Sequence, residues 1–217
     1  MPTKRKRGRP SLATKTNQED LLKIALKAFA LSGFDGTNVK QLGQEAGIAP
    51  SLFYYHFKDK VGLWQAALQS VSRQLEKVMK PEELGDPSIH PVDFLKKWIS
   101  AYIYFSAKHP EFHQVISFEM ANPSPRADWL LEHILQPLHN NLHKQIKTLQ
   151  KVGLIKKTSI ANFVSIAIGA ANVFFIQGYQ MKKLYGVDVF EEAAISEHIE
   201  TVIEVILNGI LKEKNRV

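Results

Sequence analysis

The chain has 217 residues, no cysteine and a formal net charge of +7 at neutral pH. This length allows one large domain or two unequal ones, with a core that needs no disulfide or metal ion to hold it. The lack of cysteine excludes a disulfide-stapled secreted domain. Since no apolar run follows the basic start, we expect a cytoplasmic protein.

The excess positive charge lies at the N-terminal end. Residues 1–60 contain 11 Lys and Arg against 5 Asp and Glu, whereas residues 61–217 contain 17 against 16. Neutralisation of phosphates by Lys and Arg supplies most of the sequence-independent affinity for nucleic acids. The distribution therefore indicates a nucleic-acid-binding N-terminal part and a nearly neutral body.

Residues 1–16 are predicted to be a disordered basic arm, because a run of like charges cannot fold alone. Two interpretations of this arm stay open. It is either a solvated tail that adds nonspecific affinity, or a minor-groove reader. In the second case Arg7 and Arg9, within an Arg-Gly-Arg-Pro motif that looks like the core of an AT-hook, lie in an A·T-rich groove.

The next segment, residues 17–62, has the pattern of three short helices. A capping box at Thr16 and Glu19 predicts a first helix from near Asn17 to Ser32, before Gly33. Its buried face is expected to comprise Leu21, Ile24, Ala25, Ala28 and Phe29.

Two further helices and a tight turn are predicted between Thr37 and Lys60. An apolar face over residues 39–46 predicts the first of them, and Gly47 ends it. Pro50 opens the other at a first-turn position, where its missing N–H costs nothing.

The third helix is predicted to have a small, uncharged outer face. Phe53 and Phe57 are four residues apart and are expected to pack inward, which turns Ser51, Tyr54 and Tyr55 outward. A helix that enters the major groove needs such a face, while basic groups hold the flanking phosphates.

This stretch resembles the helix-turn-helix of the tetracycline-repressor (TetR) family. The resemblance covers residues 17–68 well and rests on an opening threonine, a Gly-Ile turn and an aromatic recognition helix before a lysine; the matching residues are Thr37, Gly47, Ile48, Tyr54, His56, Phe57 and Lys60. Ala49, Gly43 and the pair Val61–Gly62 depart from the family pattern. Alanine is a poor N-cap and glycine weakens helix interiors, so these departures bear on the rigidity of the motif.

The resemblance implies an all-α, dimeric regulator of transcription that binds an operator and responds to a small molecule, without a cofactor. It implies base contacts from Pro50, Ser51 and Tyr55. It implies phosphate contacts from Thr37, Tyr54, His56 and Lys60.

Residues 63–217 are predicted to be a helical regulatory and dimerisation domain. A connecting helix from Lys60 to about Met79 is followed by helices over 91–109 and 110–120, and then by a long helix over 126–152. We expect Pro137 to kink this long helix. No alternation typical of strands is present, so the predicted fold class is all-α.

Two C-terminal segments are strongly apolar. Residues 158–181 carry no charge, yet their polar residues favour a buried helix over a membrane span. The final helix, about Ala193 to Lys212, carries a broad aliphatic stripe that includes Ile199, Ile203, Ile206 and Ile210. The resemblance makes the last two helices a homodimer interface; from the residues alone, the stripe could also be ordinary core.

The body also contains candidate ligand-binding residues. Aromatic residues at helical spacing are usually core, but polar residues along one side of an otherwise buried helix need partners, and this favours a cavity. The candidates are Trp98, Tyr102, Phe112, Trp129, Asn162, Ser165 and Asn172.

Enzymatic and metal sites find no support. His109/His113 and His139/His143 have the i, i+4 spacing of metal ligands, but neither pair has a carboxylate or cysteine to complete a site. No nucleophile or glycine-rich nucleotide motif stands out.

The predicted function is a ligand-responsive transcriptional regulator, a repressor released from a near-palindromic operator by an effector. The alternative is a DNA-bound structural or adaptor protein of the same fold without an effector.

Overall fold

The computed structural model describes the backbone of residues 12–45, 47 and 50–212, and the side chains of this part except those of residues 12–17, 50–53 and 81. Within these residues the chain forms twelve α-helices: α1 (Leu12–Gly36), α2 (Val39–Glu45), α3 (Pro50–Phe57), α4 (Lys60–Val78), α5 (Pro81–Leu84), α6 (Pro91–Lys108), α7 (Pro110–Met120), α8 (Pro125–Leu130), α9 (Gln136–Lys151), α10 (Ile160–Ile176), α11 (Gly178–Tyr185) and α12 (Glu192–Ile210). Extended pairing in this part is limited to one antiparallel bridge, between Ile155 and Leu211. The predicted all-α class is confirmed.

The described chain divides between Ser70 and Val71 into two compact units. This division lies inside α4, whereas the predicted boundary between residues 62 and 63 lies at the start of that helix.

In the first unit, α1 begins earlier than expected. Its backbone is helical from Leu12, so Thr16 lies inside the helix and the prediction of a start near Asn17 was wrong. The physical reason is that no glycine or proline follows Pro10 in this stretch, and nothing stops the helix from extending upstream. At the predicted end the helix is kinked, because Gly33 leaves the helical region with φ 67° and ψ 176°, and one further helical turn continues to Gly36.

Aromatic stacking joins the first helix of this unit to α4. Leu21, Ala25 and Phe29 are buried on the face predicted for α1. The Phe29 ring stacks on that of Phe34 with centroids 5.9 Å apart, and the Phe34 ring meets the Trp64 ring edge-on at 6.2 Å. The apolar core of the unit therefore includes the first turns of α4.

The junction between α3 and α4 is tightly packed. Asp59 caps α4, since its Oδ1 accepts a hydrogen bond from the Gly62 N–H at 2.7 Å. A Cβ atom at Gly62 would lie 2.0 Å from the Phe57 carbonyl oxygen. Glycine at position 62, a departure from the family pattern, thus permits a close backbone approach that no larger residue allows.

The second unit is built around α6, which packs against α5, α7, α10 and α12. Nine of its residues are buried: Phe94, Leu95, Trp98, Ile99, Tyr102, Ile103, Phe105, Ser106 and Ala107. The bridge between Ile155 and Leu211 fastens the loop after α9 to the end of α12.

The long helix predicted over residues 126–152 is interrupted rather than simply kinked. Leu131–Leu135 forms a π-helical turn between α8 and α9, and the Gln136 N–H donates to the Leu131 carbonyl, five residues back. Pro137 follows immediately, and its ring and missing N–H exclude the regular bonding of an α-helix there. Pro137 therefore favours the π-helical turn over a regular α-helical turn at residues 131–135.

Helix α10 is partly buried in the second unit. Val164, Ala167, Ala171, Asn172 and Phe175 are its buried residues. Within the described chain no single helix has the length and apolar character needed to cross a membrane; α10 and α11 meet that composition only as a pair bent by 69°.

The aliphatic stripe of α12 turns out to be core. Ile199, Ile206 and Ile210 are buried within the chain, and Ile203 is half-buried. The helix instead exposes Val205, whose side chain is 65% accessible. Of the two interpretations left open by the sequence, the structure supports ordinary core for Ile199, Ile206 and Ile210.

The contact at Gly62 predicts a large effect of a small change. Gly62→Ala should destabilise the protein by about 1–3 kcal/mol, because the clashing atom belongs to the backbone and cannot rotate away. Gly169→Ala is the matched control: this residue lies in α10, and no neighbouring atom lies within 4 Å of the position that its methyl group would occupy. Alanine there should be neutral or stabilising by up to about 1 kcal/mol. Thermal unfolding of both variants measures the difference, and equal midpoints would contradict the proposed packing.

Candidate nucleic-acid interface and ligand cavity

The start of α2 is fixed by two side chains with different tasks. The Asn38 Oδ1 accepts hydrogen bonds from the backbone N–H groups of Lys40 (3.0 Å) and Gln41 (3.3 Å), so Asn38 is the N-cap. Thr37 is buried, and its hydroxyl donates to the Gly33 carbonyl at 2.7 Å. The predicted phosphate-binding residue Thr37 therefore ties α2 to the end of α1, while the exposed residue at this helix start is Asn38.

The turn at Gly47 and helix α3 have the predicted shape. Gly47 has φ 64°, and its N–H donates to the Gln44 carbonyl at 3.1 Å. On α3, Phe57 is buried, whereas Tyr54 and Tyr55 are 62% and 81% exposed. The exposed part of this helix is aromatic and hydroxyl-bearing, as the sequence predicts.

Two groups of predicted contacts lie partly or wholly outside the described residues. Pro50 and Ser51 form the first turn of α3, and their side chains are not described. Arg7 and Arg9 lie outside the described residues.

His56 and Lys60 are both engaged within the unit. The His56 ring meets the Tyr55 ring edge-on at 5.2 Å, and its Nε2 is buried without a hydrogen-bond partner among the described residues. The Lys60 Nζ donates to the Asp35 carbonyl at 3.2 Å and lies 4.8 Å from the centre of the Phe34 ring. Lys60 thus holds the start of α4 against the last turn of α1, and its half-exposed ammonium group has further donors for a phosphate.

The second unit contains a cavity of about 770 Å³ that is open to solvent on one side. It lies between α6, α7, α9 and α10, and the C-terminal end of α4 closes one side with Leu75 and Met79. Five of the seven residues predicted to bind a ligand line it: Trp98, Tyr102, Phe112, Ser165 and Asn172. A cavity of this size falls within the range that holds drug-sized molecules, roughly 300–1,000 Å³.

The other two predicted residues lie elsewhere. Trp129 is not part of the lining, and its ring stacks on that of His133 with centroids 5.0 Å apart. Asn162 is exposed on α10, outside the cavity, because it lies on a different face of the helix from Asn172.

The prediction missed His113, which lines the polar end of the cavity, and Ser106, which lies outside the lining and bonds to His113. His113 is buried and lines the cavity, and its Nε2 lies 3.1 Å from the Ser106 Oγ on the neighbouring helix. Its Nδ1 lies 3.4 Å from the Asn172 Nδ2. The Asn172 side chain also hydrogen-bonds the Tyr102 hydroxyl. Four buried polar side chains from three helices therefore form one connected network.

The network determines which nitrogen of His113 carries the proton. The Ser106 hydroxyl donates to the Tyr102 carbonyl at 2.8 Å, so its oxygen is left to accept from the His113 Nε2–H. The Nδ1 is then an acceptor for the Asn172 amide N–H. Burial, with a smaller contribution from the neighbouring His109, lowers the pKa of His113 to about 3, so the ring is neutral at physiological pH. Burial likewise raises the pKa of the Tyr102 hydroxyl, which stays protonated.

The spacing of His109 and His113 was the available sequence signal, but it pointed to a metal. Among the described residues no cluster of three His, Asp or Glu side chains could hold a metal ion. His139 and His143 line the cavity and are exposed. The histidines are thus distributed between the polar end of the cavity and its solvent side.

Comparisons with known proteins agree with this arrangement. A family model described as bacterial regulatory proteins, tetR family, matches residues 21–67, and one described as tetracyclin repressor-like, C-terminal domain, matches residues 91–206. The chain is 22% identical over 203 residues to the HTH-type transcriptional regulator RutR of Escherichia coli K12, covering 94% of each protein. It is 21% identical over 216 residues to the HTH-type transcriptional repressor NicS of Pseudomonas putida, covering 97% of this chain and 99% of that one.

Solved structures share the fold. A regulator from Clostridium perfringens superposes with a TM-score of 0.73 at 20% identity, covering 89% of this chain and 99% of that chain. A regulatory protein of the tetR family from Rhodococcus RHA1 superposes with a TM-score of 0.64 at 16% identity, covering 91% and 98%.

The neutral state of His113 makes stability depend on pH. Between pH 6.5 and about 3 the unfolded chain binds a proton at this residue that the folded chain does not, so stability is complete above pH 6.5 and is lost as the pH falls. We expect the free energy of unfolding to decrease by about 2 kcal/mol between pH 7 and pH 5 from this residue. Urea unfolding at both pH values measures the loss.

The His113→Gln variant keeps a donor for Ser106 and should show a smaller decrease between these pH values. His90→Gln, at an exposed position, should behave like the unchanged protein. His198, whose pKa burial also lowers, is present in all three proteins and does not affect the comparison. An identical pH dependence in all three would contradict a neutral, buried His113.

Proposed function

The chain belongs to the tetR family of bacterial regulatory proteins, and from this premise we propose that it is a repressor that binds a near-palindromic operator as a homodimer and is released by a small-molecule effector. Membership makes it a helix-turn-helix, DNA-binding regulator of transcription and not an enzyme. NicS, a relative along nearly the whole chain, is a transcriptional repressor. Since a regulator acts where the chromosome lies, we place the protein in the cytoplasm.

The observation that carries the proposal is the continuity of α4. This helix runs without interruption from Lys60, next to the recognition helix, to Val78. Its C-terminal end supplies Leu75 to the cavity, and Met79 follows directly. An effector that binds better when this helix is displaced would shift the DNA-binding units, and the same coupling free energy would weaken effector binding on the operator. The cavity favours this function over an adaptor without an effector.

The proposed DNA contacts follow the exposed face of the helix-turn-helix. Tyr55, the more exposed of the two tyrosines, would contact bases together with Pro50 and Ser51 at the start of α3. Tyr54 and Lys60 would contact phosphates. The Thr37 hydroxyl and the His56 Nε2 are both buried. This favours a role for these two residues in holding the helices that carry the contacts, rather than in contacting DNA themselves. Arg7 and Arg9 keep both interpretations of the basic arm.

The proposed dimer would use the exposed apolar residues of the last helices. Ile166 and Val173 on α10 are 65% and 41% exposed, and Val205 on α12 is 65% exposed. Such side chains on helices otherwise packed into the core favour coverage by a second subunit. Two recognition helices related by a two-fold axis would enter major grooves about 34–36 Å apart.

The function is tested by selecting duplexes from a random pool with the purified full-length protein. We expect an enriched site with two inverted half-sites about 10 base pairs apart from centre to centre, or a multiple of that spacing. Enrichment of a single unrepeated half-site, or of no sequence, would overturn the proposal.

The same assay tests the role of Lys60. Lys60→Ala should weaken binding to the selected site and to random duplex by similar factors, and it should lower the slope of log K against log salt by about 1 per subunit. Lys23→Ala, at an exposed position on α1, is the control that removes the same charge, and it should lower the slope less than Lys60→Ala. An unchanged slope for Lys60→Ala would remove this lysine from the interface.

The dimer face is tested by two charge substitutions on α12. Val205→Glu should give folded monomers that no longer bind the operator, because the charge would enter the interface once from each subunit. Ile206→Glu, one residue later but buried, should instead unfold the protein. Sedimentation and circular dichroism distinguish the two results. A stable, dimeric Val205→Glu protein would place the interface elsewhere.

A further inference from the structure

The cavity of the second unit has an unusual charge balance for a basic protein. Its lining contains no Lys, Arg, Asp or Glu among the described residues. The ionisable side chains that reach it are Tyr102, His113, His139 and His143. A ligand ion at the buried end, beside Tyr102 and Asn172, would have no fixed counter-charge, and an unpaired charge removed from water is strongly unfavourable.

The hydrogen bonds at the polar end of the cavity also oppose protonation of His113. A second proton on His113 would sit on Nδ1 and face the Asn172 Nδ2–H, which would bring two donors together. The other side of the ring is already bonded to Ser106. The imidazole therefore cannot become a counter-ion for an acid without breaking the network.

Hydrogen-bonding capacity nevertheless remains at this end. Together Tyr102 and Asn172 have three donor hydrogens: one on the hydroxyl and two on the amide. One amide hydrogen goes to His113, and the bond between Tyr102 and Asn172 uses one more donor and one acceptor. Whichever way that bond runs, one donor and at least one acceptor are left.

We infer that the effector is an uncharged molecule with an apolar body and a group that both donates and accepts a hydrogen bond, such as a primary amide or a lactam, directed at Tyr102 and Asn172. The body would lie against the apolar walls, where Trp98 stacks on Tyr102 with ring centroids 5.4 Å apart. This inference rests on the proposed function, because it names the chemistry of the effector for the same cavity.

The test compares three probes with the same body: biphenyl-4-carboxamide, methyl biphenyl-4-carboxylate and biphenyl-4-carboxylate. Binding to the full-length protein without DNA is followed by calorimetry and by tryptophan fluorescence, to which Trp98 in the cavity wall contributes beside Trp64 and Trp129. The amide should bind about tenfold more tightly than the carboxylate, and several-fold more tightly than the ester, which lacks a donor. Tighter or equal binding of the carboxylate, or binding of none of the three, would overturn the inference.

Two variants locate the effect. Asn172→Leu should abolish the preference for the amide over the ester, whereas Asn162→Leu, on the same helix but exposed outside the cavity, should keep it. If circular dichroism shows that Asn172→Leu does not fold, Tyr102→Phe removes only the hydroxyl and replaces it in the comparison. A preference that survives the cavity substitution would also overturn the inference.

The outcome is independent of the DNA-binding test. A protein that selects an inverted-repeat operator but prefers the carboxylate keeps the proposed function and loses the inferred effector chemistry. A protein that prefers the amide but selects no operator loses the proposed function.

Discussion

The second unit depends on the burial of α6. This helix carries apolar side chains around most of its circumference, and they leave water only when α5, α7, α10 and α12 all pack against it. The same helix supplies Trp98 and Tyr102 to the cavity and Ser106 to the polar network. Since a packed core transmits displacements rather than absorbing them, the cavity wall and the core cannot move independently.

Within this apolar unit, the network of Ser106, His113 and Asn172 is costly to leave incomplete. Each buried donor or acceptor loses its bonds to water on folding and must find a partner inside the protein. The His113 ring is bonded on both sides: its Nε2–H donates to the Ser106 hydroxyl, and its Nδ1 accepts from the Asn172 amide. The Ser106 hydroxyl in turn donates to the Tyr102 carbonyl. Its fixed donor and acceptor directions give the cavity one polar end whose orientation does not depend on the ligand.

The first unit is governed by local backbone constraints instead. Asn38 starts α2, Gly47 turns the chain through a left-handed conformation, and Gly62 lets α4 approach the carbonyl of Phe57. Each constraint acts over a few residues, which explains why a short motif suffices to specify the arrangement. Lys60 then links the end of this motif to the last turn of α1.

The sequence by itself determined the features that depend on neighbouring residues. The helical class, the turn at Gly47, the outward face of Tyr54 and Tyr55, and the limits of α4 and α6 follow from periodicity and from the positions of glycine and proline. Five of the seven ligand candidates line the cavity, because aromatic and polar side chains on a largely apolar helix leave a signal in the pattern of that helix.

Only the tertiary structure decided questions that join distant segments. It showed that Ile199 and Ile206 are core, because the partner helix of an apolar stripe cannot be read from the stripe itself. It joined Ser106, His113 and Asn172, which lie on three helices and whose common function exists only once those helices pack together. Periodicity reports which face of a helix is apolar, whereas contacts between helices are set by the packing of the whole unit.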